Sequence, residues 1–168
     1  MAEYRFTETN IGKIYEGDPA PPVNADTTYY PAGTLLFGVE HRTVLHPETG
    51  GLYANGPTLH VFDAETRQEY LRFDIFPGLE HYHYIVPGQQ NHLVGFDVMA
   101  HGDFLQWALD ALRTRLPQLL ETTGGHRLAS ALDAGAIEQG LTQAEVHLRR
   151  ICVPDPTHGT RADVAAAS

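Results

Sequence analysis

Cysteine, lysine and serine are nearly absent from this 168-residue chain, and each scarcity removes a class of chemistry. A single cysteine, Cys152, allows neither an internal disulfide framework nor a Cys-rich zinc site. A catalytic thiol would need a base that the sequence does not place beside Cys152. The only serines are Ser130, inside a helical stretch, and Ser168, so no Gly-x-Ser-x-Gly elbow exists. A Schiff-base lysine would have to be Lys13, the sole lysine. No Gly-x-Gly-x-x-Gly follows a strand and there is no Walker loop, so no nucleotide cofactor is expected. No apolar run approaches the length that spans a bilayer. The start, Met1 to Arg5, shows no apolar stretch behind a basic patch, and the cytoplasm is the expected compartment. The net charge of −10 argues against nucleic acid and anionic membranes as partners. A small-molecule substrate is the expected partner.

Histidine, aspartate, glutamate, tyrosine and arginine remain to carry chemistry, with histidine abundant at ten residues. The pattern predicts one α+β domain over residues 1–152, with an irregular N-terminal arm and a flexible tail over 153–168. Tyr4–Thr7 and Ile11–Tyr15 are candidate short strands in the arm. Asp18-Pro19-Ala20-Pro21-Pro22 can be neither helix nor central strand, because proline lacks the donor. From Gly33 the chain alternates as strands do. Turns are expected at His46–Gly51 and again at Ala54-Asn55-Gly56-Pro57. Further strands are read at Leu59–Asp63, Glu69–Phe76, Leu79–Val86 and His92–Val98. Adjacent hairpins imply a curved antiparallel sheet, with closure into a barrel left open.

Helical spacing takes over at Asp103, a candidate N-cap. Phe104, Trp107, Ala108, Ala111 and Leu112 then form a stripe read as the surface that packs on the sheet. Pro117 ends that helix or starts a second one, which stops at Gly124-Gly125. A short helix is read over Arg127–Asp133. Thr142-Gln143-Ala144-Glu145 matches a capping box that would open the last helix. The Pro-rich arm and the aromatic content suggest a homodimer, the commonest oligomer.

One stretch concentrates the chemistry. If Pro77-Gly78 closes a hairpin, Asp74 faces His81, Arg72 faces His83, Phe73 faces Tyr82 and Leu71 faces Tyr84. Side chains alternate along strands. One face is then apolar: Leu71, Phe73, Ile75, Tyr82 and Tyr84, with Glu80 its one charge. The other gathers Tyr70, Arg72, Asp74, His81 and His83. Two imidazoles spaced as His-x-His project the same way, about 7 Å apart by strand rise. With Asp74 they offer a two-His, one-carboxylate set suited to non-haem Fe(II); a third histidine, His60 or His92, would give a set suited to zinc, copper or iron. Register does not bring His60 to this face without a bulge.

The hairpin resembles the cupin family in one respect, a His-x-His after a Pro-Gly turn, here Pro77-Gly78 before His81 and His83. Cupins carry a glutamate shortly after the pair, and Tyr84 to Gln90 contains none. The second Pro-Gly, Pro87-Gly88 before His92, follows too soon to hold the intervening strands. The likeness covers a few residues and assigns no family.

Three readings follow. A divalent metal (Fe or Zn, with Cu as a further option) is held by His81, His83 and Asp74, or with His60. Alternatively, no metal is needed: Asp74 orients His81 as a general base, Arg72 binds an anionic group and Tyr70 donates a proton. In the third reading these side chains only satisfy one another, and the chain is a binding or structural subunit.

Overall fold

The computed structural model describes residues 14–17, 23–89 and 91–152. The expected strand at Tyr4–Thr7, the Pro-rich segment 18–22 and the tail 153–168 lie outside them. The expected arm strand survives as β1, Ile14–Gly17. The remaining strands are β2 Thr28–Ala32, β3 Leu35–Leu45, β4 Leu52–Asp63, β5 Glu69–Asp74, β6 His81–Ile85 and β7 Asn91–Gly95. They form one sheet in the order β1-β7-β6-β5-β4-β3-β2, with every neighbouring pair antiparallel. From β2 to β7 each strand pairs with the next, as short connections favour. The α+β layout is as expected. Closure is not: β1 and β2 are the two edges and do not pair with each other, so the sheet is open and barrel-like closure is corrected.

Alternation decides which face is dry. Leu35, Phe37 and Val39 on β3, Leu59 and Val61 on β4, and Leu71 and Phe73 on β5 are all at most 1% exposed and share one core. Helices cover that face: α1 Val98–His101, α2 Phe104–Thr114, α3 Leu116–Thr122, α4 His126–Ala129 and α5 Ala134–Ile151. Phe104, Leu105, Ala108, Leu109 and Leu112 of α2 and Ile137, Leu141, Ala144 and Leu148 of α5 complete the core. Each such Leu or Phe removed from water stabilises the fold by about 1.5–3 kcal/mol. Trp107 packs against the same core, between Tyr82 and Phe96, as the stripe implied.

The helix ends follow from their caps. Asp103 Oδ1 accepts from the Gln106 amide at 2.7 Å, and Asp133 Oδ1 from Ala136 at 2.8 Å. Asp133 therefore opens the last helix, and the capping box expected at Thr142 is corrected: Thr142 lies mid-helix, with its hydroxyl on Glu138. Arg127–Asp133 contributes only the four-residue α4, which starts one residue earlier. β2 emerges from a stretch read as irregular. Its Tyr30 and Ala32 pack inward while Pro31 sits on an edge strand that tolerates a missing donor.

The expected turn at Ala54–Pro57 is also corrected. β4 runs through it, pairing Ala54 with Val44 and Pro57 with His41. Gly56 is needed for close approach: a Cβ there would lie 2.4 Å from the Ile75 carbonyl oxygen.

A second close approach fixes α5 on the sheet. A Cβ on Gly140 would lie 2.5 Å from the Pro31 carbonyl oxygen and 2.9 Å from Ala32 Cβ. Gly140→Ala is therefore expected to destabilise the protein by about 1–3 kcal/mol through overpacking, against the sign of helix propensity. Chemical denaturation measures it; a stabilised variant would show that the helix can back away. Among the described residues no helix is long and apolar enough to cross a membrane.

Candidate metal centre

The face of the sheet away from the helices is polar, and several of its charged side chains are buried. Register builds it in two rows. Gly38, His60, Arg72 and His83 are successive cross-strand partners, and Glu40, Thr58, Asp74 and His81 form the next row. Glu40, Thr58, His60, Arg72, Asp74 and His83 are each at most 6% exposed. Buried charges of this kind must be paired or must hold an ion.

The hairpin pairs as the sequence implied: Asp74 with His81, Arg72 with His83, Phe73 with Tyr82 and Leu71 with Tyr84. Asp74, His81 and His83 converge, each offering a ligand atom within 4.8 Å of the others, so that together they could hold a metal ion. Asp74 Oδ2 lies 3.2 Å from His81 Nε2 and 3.0 Å from His83 Nε2. Ligands bonded at about 2.1 Å to one ion in tetrahedral or octahedral geometry lie roughly 3.0–3.4 Å from their neighbours, which both distances approach.

Each of the three groups is held from behind. His81 Nδ1 is 2.6 Å from the Leu79 carbonyl, which can only accept, so Nδ1 carries hydrogen. His83 Nδ1 donates to Asn91 Oδ1 at 2.7 Å. Thr58 donates its hydroxyl to Asp74 Oδ1 at 2.6 Å, which leaves Oδ2 for the centre. In their neutral forms both rings thus aim an Nε2 lone pair at a carboxylate oxygen. Such an arrangement repels itself unless a cation, proton or metal, sits between. Burial works against charge at both groups, but their mutual attraction wins. Asp74 is held well below the usual carboxylate range by hydrogen bonds from His81 and His83, and Asp74 raises the His81 pKa above its ordinary value.

A second cluster continues the row. His60 Nε2 is 3.1 Å from Glu40 Oε1 and its Nδ1 is 2.5 Å from Glu69 Oε1. The Arg72 guanidinium makes a two-point contact with Glu69, Nε to Oε1 at 2.9 Å and Nη2 to Oε2 at 2.7 Å. Glu40 Oε2 accepts from the Thr27 hydroxyl at 2.7 Å and the Asn24 amide at 2.6 Å, and Oε1 from Arg42 at 2.7 Å. Phe62 stacks on His60 with ring centroids 5.5 Å apart, in space that a Cβ on Gly38 would take.

These positions sort the candidate residues. Asp74, His81 and His83 come together. His60 does reach this face, through a bulge between Val61 and Phe62, but both its nitrogens are engaged by carboxylates and it is not part of the triad. Tyr70 is lost from the face: the same bulge turns it to the helical side, where it packs on the core and against Gly125. Arg72 is present but buried against Glu69, not presented to a cleft. A cavity of about 300 Å³ opens instead beside the hairpin turn, lined by Ile75, Glu80, Val98, Asp103 and Phe104 but by none of the triad. His92 pairs with Tyr84 and so takes the opposite face. Sequence reasoning did not find Glu40, Thr58, Glu69 or Asn91. Thr58 and Glu40 had a usable signal, the strand alternation that sets Thr58 with His60.

Glu40 supplies a pH dependence. Burial would raise its pKa, but hydrogen bonds from His60, Thr27 and Asn24 override it and hold the group at about 2 against an ordinary 4.5. A depressed carboxylate contributes stability that is complete above 4.5 and lost as the pH falls through about 2. The loss is on the order of 3 kcal/mol. Denaturation midpoints measured from pH 6 downward should fall steeply across that window, and Glu40→Gln should flatten the fall. An unchanged slope in the variant would remove Glu40 from the account.

The fold and the site together define an open-sheet α+β domain with a buried His-Asp-His group suited to a cation. The chain belongs to the family described as Domain of unknown function (DUF7700), whose model matches residues 29–148. That span holds all three triad residues and the whole Glu40–His60–Glu69–Arg72 cluster. No curated protein and no solved structure matches the chain.

Proposed function

We propose that the protein is a metal-dependent enzyme acting on a small molecule, with Asp74, His81 and His83 as ligands to one divalent iron or zinc ion. One observation carries this reading: two Nε2 atoms and one carboxylate oxygen converge, and each ligand is fixed on its far side by Leu79, Asn91 or Thr58. Such outer contacts set the tautomer and aim the lone pair, as is usual around protein-bound metals. One proton can satisfy only one of the two His–Asp contacts, whereas one divalent ion satisfies all three groups. Two imidazoles and a carboxylate suit Fe(II), Zn(II) or Cu(II), and three protein ligands leave positions open for chemistry.

A second reading rests on His81 being the most exposed of the three, at 13% of its side chain against 5% for Asp74 and 8% for His83. A His81 imidazolium held by Asp74 would then be a general acid in a metal-free enzyme. Elemental analysis separates the two. The metal reading expects one iron or zinc per chain, in the protein as purified or after incubation with each ion. Protein that takes up none of Fe, Zn, Cu or Mn leaves the acid–base reading.

A further inference from the structure

We infer that the open positions of this centre take a small molecule through an anionic oxygen: a carboxylate, an enolate or an ionised phenol. The inference rests on the metal reading and follows from the charges buried around it. Among the described residues the polar face holds three buried or half-buried carboxylates, Glu40, Glu69 and Asp74, and two such guanidinium groups, Arg42 and Arg72, while the exposed Arg67 lies over Tyr29 at its edge. Both ring nitrogens of His60 face carboxylate oxygens, which only accept, so this cluster holds one proton beyond a neutral ring. Whichever partner carries that proton, the charges of these buried and half-buried groups then cancel.

His81 and His83 add nothing to the balance when they act as ligands, because each keeps one proton on Nδ1 and offers Nε2 as a neutral donor. A divalent ion therefore brings two positive charges that the buried side chains of this face do not offset. Unbalanced charge is costly in a buried setting. Arg72 cannot be the anion's main holder, as the sequence had suggested, because its Nε and Nη2 are already given to Glu69. The compensating charge has to arrive on the exogenous ligand. A ligand with one negative oxygen would offset one of those two charges. Neutral amides or alcohols of the same shape leave the surplus in place.

The test uses the full chain loaded with cobalt(II), whose visible spectrum reports the ligands around it. At constant ionic strength the loaded protein is titrated with acetate against acetamide, and with benzoate against benzamide. Saturable spectral change is expected for the carboxylates, with dissociation constants at least about tenfold below those of the matching amides. If cobalt binds one per chain but the amides match the carboxylates, or neither class perturbs it, the inference is overturned while the metal reading stands. If cobalt does not load at one per chain, the metal reading itself fails and takes the inference with it.

Discussion

His83→Ala is expected to lower divalent-metal affinity by more than about 100-fold while the far-ultraviolet circular dichroism stays that of the wild type. His83 supplies one of two nitrogen donors, and its ring is positioned by Asn91 behind it and Asp74 before it. Alanine leaves two ligands, too few to strip an ion of its water. Asp74→Asn is expected to be comparable, because the amide keeps the shape and the Thr58 contact but removes the charge. Thr58→Val should cost less, about 10–100-fold, since it frees Asp74 to rotate without removing a ligand. That ranking, two large losses and one intermediate, separates a metal site from a hydrogen-bonded network. Competition against a chromophoric chelator measures it. Full metal occupancy in His83→Ala would mean that the ion sits elsewhere.

Arg72→Met is expected to destabilise the protein by about 3–5 kcal/mol, the usual cost of removing one partner from a buried ion pair. Arg72 is 1% exposed and is held by Glu69. Burial works against the charge of both groups; the hydrogen bond to Glu69 overcomes it and raises the Arg72 pKa, while hydrogen bonds from His60 and then Arg72 lower that of Glu69. Methionine fills part of the volume but leaves Glu69, among the described residues, with His60 as its charged neighbour. Glu69→Gln combined with Arg72→Met should recover much of the loss, since the orphaned carboxylate goes with its partner. Denaturant titration of the two singles and the double closes the cycle. Additive losses would show that the pair is not coupled.

The hairpin that builds the triad was legible because strand alternation and a Pro-Gly turn jointly fix a register. The sum that pairs Asp74 with His81 holds even though the ladder stops there and residues 75–80 form the connection. The helix start at Asp103 was legible for a similar reason, a capping side chain followed by a periodic apolar stripe. The bulge between Val61 and Phe62 was not, and it decides the fate of three residues. Strict alternation sets Glu69 with Leu71 on the apolar face, where a carboxylate has no partner. One extra residue turns Glu69 to His60 and Arg72 and sends the Tyr70 ring to the core. That choice is made by pairing charge across three strands, and no window along one strand contains it. Asn91 escaped notice because a loop residue becomes a partner only when β7 lies beside β6. The run through Gly56 was hidden likewise: the local pattern reads as a turn, and only contact with Ile75 reveals why glycine stands there.

The most direct test of the metal centre is anomalous scattering from a crystal of the iron- or zinc-loaded protein, recorded on either side of the metal's absorption edge. The expected result is a single strong peak about 2.0–2.2 Å from Asp74 Oδ2, His81 Nε2 and His83 Nε2. A loaded crystal with no peak between those three atoms, or with its peak bound elsewhere on the chain, would contradict the account.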